Sequence, residues 1–149
     1  MEWAALIAWV VTAGGGFVLL AIWLGRGGMR QGREPGSRIR PPLILSHFLL
    51  AATGLVIWIA YVATDNDTLA WIALVLLAIV AVLGFTMFAI WYQRRQRGPT
   101  ARTGVTGEPG SSETPPEQHF PVAIVGLHGL LAVTTVVLVF LTAIGVGES

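Results

Sequence analysis

Two histidines stand where an ionisable side chain is costly to keep. His47 lies in an apolar run over residues 42–63 and His128 in another over 120–145, and neither run contains Asp, Glu, Lys or Arg. Placing an ionisable group in hydrocarbon is unfavourable, so an intramembrane histidine points to function and to a partner inside the protein. A neutral imidazole can ligate a metal or haem iron through a ring nitrogen, handle a proton, or act as hydrogen-bonded glue between helices. Two ligands alone make an incomplete zinc or copper site, and no carboxylate or thiolate lies nearby to complete one. The absence of cysteine removes disulfides, thiolate sites, c-type haem attachment and cysteine-ligated iron–sulfur clusters. With no carboxylate in the apolar runs, hydrolytic chemistry is not expected. The glycine-rich stretch from Gly25 follows no strand and has no Walker lysine, so it is not a nucleotide site.

The two histidines belong to a repeat. The segment from His47 to Thr53 matches that from His128 to Thr134 at five of seven positions, and the segment from Gly16 to Arg26 matches that from Gly84 to Arg94 at six of eleven. The matches occur in the same order, which argues for a duplicated hairpin. Each half crosses the membrane twice and returns to its starting side, so the copies should be related by a pseudo-twofold axis along the membrane normal. That axis would bring His47 and His128 to equal depth, facing each other.

The elements that position them are four apolar runs, about 3–24, 42–63, 69–92 and 120–145. At about 1.5 Å per residue each is about 33–39 Å long, enough to cross a bilayer with some tilt. Barrel strands would alternate apolar and polar residues, and these runs do not. With 54% hydrophobic and 11% charged residues, the chain is suited to lipid rather than water. The fold expected is all-α: an integral membrane four-helix bundle built from two duplicated transmembrane hairpins, one domain over residues 1–149. The first run begins with Met1 and Glu2 and lacks a basic leader, so it reads as a retained helix rather than a signal peptide.

All nine basic residues are arginines, and all fall between the first and second runs or between the third and fourth. The other connection has Asp65 and Asp67, and the ends have Glu2 and Glu148. The positive-inside rule then puts the arginine-bearing loops in the cytoplasm and both termini outside. The all-arginine usage suggests a bacterial source and hence the bacterial cytoplasmic membrane. Trp3, Trp23, Trp71, Trp91 and Tyr92 lie near run ends, where amphipathic rings favour the interface. Residues 98–117 read as a flexible loop and 25–36 as irregular. His119 reads as solvated; Tyr61, Asp65 and Asp67 read as outer surface. No basic domain suggests nucleic acid.

The most specific reading of the histidine pair is one haem b, ligated from opposite faces by His47 and His128. Ala51 and Gly54 follow His47 by four and seven residues, and Ala132 and Thr135 follow His128 likewise, so small side chains share each histidine's face. Gly16 and Gly84 could cradle the ring on the two remaining sides, although close helix packing is the commoner use of such glycines. Arg26 and Arg94, with Arg38 and Arg40, could meet the haem propionates, besides setting topology and meeting anionic lipid.

With one axial histidine on each of two helices and an H-x-L-L-A-x-T repeat, the chain resembles four-helix membrane b-type cytochromes, of the cytochrome b561 kind or the haem-bearing anchor subunits of respiratory dehydrogenases. The resemblance covers the helical core and implies electron transfer within a respiratory or redox assembly rather than a self-sufficient enzyme. Those families often stack two haems across the membrane, whereas this chain has histidines for one. A quinone or subunits of a respiratory complex would complete an electron path, and an oligomer is compatible with the sequence. The rival expectation is a cofactor-free structural or accessory subunit of a membrane complex. A transporter would usually need broken helices or mid-membrane carboxylates, which are absent.

Overall fold

A computed structural model describes residues 1–31, 39–96 and 119–146, with the side chains of Gln31 and Arg94 outside the description. The chain is all-α: α1 (Glu2–Gly25), a one-turn α2 (Gly28–Gln31), α3 (Pro41–Thr64), α4 (Asp67–Gln96) and α5 (Val122–Ala143), with no strand among the described residues. The four long helices are each apolar and long enough to cross a membrane. The expected flexible loop at 98–117 lies outside the described residues.

Local chemistry sets the helix ends. Pro41 and Pro42 occupy the first turn of α3, where a missing N–H is harmless. That helix ends at Asp65 in the left-handed region (φ 54°), and the Asn66 side chain then accepts the Thr68 N–H to start α4. Gly27 supplies the positive φ (77°) that turns the chain out of α1. The stretch 25–36, expected to be irregular, begins with α2, whose Gly28 lies against the Trp23 indole. The third apolar run stops at residue 92, yet α4 continues to Gln96. Gln and Arg are good helix formers, and long polar side chains reach the headgroups from a helix that outlasts its apolar stretch.

α3 packs chiefly on α4 and α1 on α5, while the contacts α1–α3 and α4–α5 are looser. The duplication relates α1 to α4 and α3 to α5, so each pair of seams is one interaction made twice. The four helices form a ring in which α3 and α5 stand diagonally opposed.

The two ends of the bundle are filled differently. At the acidic end, Ala5, Trp9, Trp58, Tyr61, Ala70, Ala73, Leu77 and Val139 form a close-packed core. Trp9 and Trp58 ring centres are 6.3 Å apart, Trp58 and Tyr61 are 4.8 Å apart, and Trp58 Nε1 donates to Glu2 O at 3.4 Å. Tyr61, read from the sequence as outer surface, is therefore core. At the arginine end Trp23, Ile39, Ile44 and Trp91 cluster. Trp23 and Trp91, expected at the lipid interface, are buried (0% and 7% exposed), whereas Trp3 and Trp71 do face outward. Nearness to a helix end fixes a side chain's depth but not its direction around the helix.

Because Trp58 fills the centre of the acidic end, its removal leaves a void that neighbouring helices can only partly close. Trp58→Ala is expected to lower stability by about 3 kcal/mol, measured by reversible unfolding in bicelles.

Candidate functional site

His47 and His128 each lie six residues after the first residue of their helix, about 9 Å along the axis from the arginine end. Each imidazole reaches to the neighbouring helix. His47 Nδ1 donates to the Val80 carbonyl of α4 at 3.1 Å, and His128 Nδ1 donates to the Thr12 carbonyl of α1 at 3.0 Å. Thr12 and Val80 are themselves repeat mates, so one hydrogen bond occurs twice. A carbonyl only accepts, so each Nδ1 carries the proton and the neutral ring keeps its lone pair on Nε2. Neither Nε2 has a hydrogen-bond partner among the described residues.

Glycine makes this approach possible. Four residues after each accepting carbonyl stand Gly16 and Gly84, on the turn the imidazole lies against. A Cβ on Gly16 would stand 3.0 Å from His128 Cε1, and one on Gly84 would stand 3.2 Å from His47 Cε1. The bare backbone leaves the ring room to use the second lone pair of a carbonyl already engaged in its own helix, where a Cβ would push it back by a few tenths of an ångström. These glycines therefore pack on histidine rings rather than on a helix backbone.

The two rings meet across the bundle with centroids 6.5 Å apart and planes inclined by 65°. They border a cavity of about 270 Å³ that runs from Trp9 and Thr135 down to Trp23, Trp91 and Phe120. Its walls come largely in repeat pairs: Gly16 with Gly84, Leu20 with Phe88, Trp23 with Trp91, Ala51 with Ala132. The lining is otherwise apolar, interrupted by the imidazoles and by Thr12 and Thr135, whose hydroxyls are 3.1 Å apart.

Of the residues singled out from the sequence, His47, His128, Gly16, Gly84, Ala51, Ala132 and Thr135 all border this cavity. Gly54 does not: it faces Trp9, where a Cβ would stand 3.0 Å from the indole. Arg26 is exposed just beyond α1, outside the cavity wall, and the Arg94 side chain lies outside the description. The carbonyls of Thr12 and Val80 and the walls Trp23 and Trp91 were missed. The repeat could have flagged the tryptophans, since both occupy matched positions; the carbonyls carry no sequence signal. His119, read as solvated, has a buried Nδ1 with no hydrogen-bond partner among the described residues, as has Trp23 at Nε1.

No group of three or more His, Cys, Asp or Glu able to hold an ion occurs among the described residues. Among the described residues, the cavity thus offers two imidazole nitrogens as metal ligands, an arrangement suited to a metal that brings its other ligands with it. Comparison with protein-family models, with curated proteins and with solved structures finds no match.

Proposed function

We propose that the cavity holds one haem b between His47 and His128, and that the protein is a membrane electron carrier or a haem-bearing subunit of a redox assembly. The observation that carries this reading is the separation of the two imidazoles. A metal–imidazole bond is about 2.0–2.1 Å long, and about 1.1 Å more separates each nitrogen from its ring centre, so two rings on opposite sides of one metal have centroids about 6.3 Å apart. The value here is 6.5 Å, with both Nε2 atoms unengaged. A macrocycle supplying four nitrogens also resolves the shortage of protein ligands.

The lining fits such a group in other respects. At about 270 Å³ the cavity lies just under the range of small-molecule pockets, about 300–1,000 Å³, and is far larger than a single ion needs. The Nδ1–H bonds to Thr12 and Val80 hold each ring's orientation and make it a more basic ligand. Apolar walls keep water away. At the arginine end, Trp23 Nε1 is a buried donor with no hydrogen-bond partner among the described residues, available to a polar group of the bound molecule. Haem supplies reversible one-electron exchange.

The arginine end is assigned to the cytoplasm of a bacterium and both termini to the outer side, from the charge distribution. The second reading is a cofactor-free accessory subunit in which the histidines are helix glue, favoured by the backbone bond each ring already makes. Absorption decides between them. Protein purified from haem-replete cells is expected to show a sharp Soret band and low-spin bands, and colourless protein would reject haem.

A further inference from the structure

We propose that the arginine end of the bundle is a docking face for an acidic, water-soluble one-electron carrier, which exchanges electrons with the cavity through the Trp23–Trp91 end. This rests on the haem reading for its electron step, although docking is measurable without haem.

Position within the bundle selects the end. His47 is about 9 Å from the first residue of α3 and about 25 Å from its last; His128 is about 9 Å and about 22 Å from the corresponding ends of α5. Electron tunnelling falls exponentially with distance, so direct exchange with a soluble partner takes place at the near end. The far end is also filled by Trp9, Trp58 and Tyr61, leaving no opening through which a carrier's redox group could approach.

Charge then selects the partner. Among the described residues, the near end carries Arg26, Arg30, Arg40 and Arg95 and no acidic side chain, whereas the far end carries Glu2, Asp65 and Asp67 and no basic side chain. Arg26, Arg30, Arg40 and Arg95 are exposed. Arg95 also lies over the Trp91 ring, 5.6 Å from its centre, and Trp91 forms part of the cavity wall, so the charged face and the cavity wall share one contact. Such a surface accelerates encounter with an acidic protein and repels a basic one. In the electron step the reduced carrier would give up one electron to a haem held by His47 and His128, with no proton or bond involved.

The test uses the full chain in nanodiscs of zwitterionic phosphatidylcholine, which expose both faces and remove anionic lipid as a competitor. Plant-type ferredoxin serves as the acidic carrier and cytochrome c as the basic one, the two being compared by binding, and reduced ferredoxin also serves as the electron donor. Ferredoxin is expected to bind and to reduce the haem, with a rate falling at least about tenfold as salt rises from about 20 mM to about 500 mM. Arg30→Gln with Arg95→Gln should slow it several-fold at low salt and leave the absorption spectrum unchanged. His128→Ala protein without haem should bind ferredoxin with the same salt dependence. Wild-type protein that comes colourless from haem-replete cells and takes up no added haem, yet binds ferredoxin with this salt dependence, would reject the haem reading and keep the docking face. Haem-loaded protein that ignores ferredoxin, responds equally to cytochrome c, or is indifferent to salt and to the arginine variants would overturn the proposal and leave the arginines as topology and lipid anchors.

Discussion

Replacing either His47 or His128 with alanine is expected to abolish the low-spin absorption spectrum, with bound haem falling from about one per chain to a small fraction. The effect should be as large for one histidine as for the other, because the two make the same hydrogen bond to repeat-related carbonyls and border the cavity at the same depth. Removal of one imidazole would leave a bound haem iron with a single protein ligand and open a void where the ring packed. Methionine distinguishes lost ligation from lost packing. His47→Met retains an axial donor and is expected to keep haem while raising the reduction potential. Unchanged helical circular dichroism would show that the alanine variants still fold. Retention of the low-spin spectrum in both alanine variants would reject the assignment.

Nearly as large an effect is expected from the glycines. Gly84→Leu should displace the His47 ring and Gly16→Leu the His128 ring, since even a single Cβ there would come within 3.2 Å and 3.0 Å of Cε1. The displaced imidazole loses its carbonyl partner and its place in the cavity wall. Haem affinity should fall by at least tenfold, about 1.4 kcal/mol, in either variant, read by titrating haem into the purified apoprotein. Gly54→Ala is the control. Its added methyl meets Trp9 rather than a histidine, so it should lower stability and leave haem affinity within about twofold. Equal affinity losses at Gly16, Gly84 and Gly54 would mean that glycine serves helix packing in general rather than imidazole placement.

What could be read from the sequence follows from how strongly lipid constrains a chain. Backbone groups in hydrocarbon must bond within their own segment, so an uncharged apolar run of this length is a helix almost by necessity. The same constraint made His47 and His128 conspicuous, and the duplication brought them together without any knowledge of helix rotation. Rotation is where the reading stopped. Apolar faces look alike when lipid and core are equally hydrophobic, so nothing told that Trp23, Trp91 and Tyr61 turn inward while Trp3 and Trp71 turn outward. Gly54 and Thr135, repeat mates expected to play one part, diverge because Trp9 fills the space beside Gly54 while Thr135 bonds to Thr12. The carbonyl partners of the imidazoles lay beyond reach because backbone acceptors are the same in every residue.

The close-packed aromatic end has an electrical consequence. With the imidazoles about 9 Å along helices about 36 Å long, a charge brought to their level from the arginine side crosses roughly a quarter of the hydrocarbon span. Moving an elementary charge across the whole span involves about 2.3 kcal/mol per 100 mV, so the share felt here is about 0.6 kcal/mol per 100 mV. Loading and unloading from that side would therefore proceed at nearly constant driving force, whether the membrane is energised or at rest.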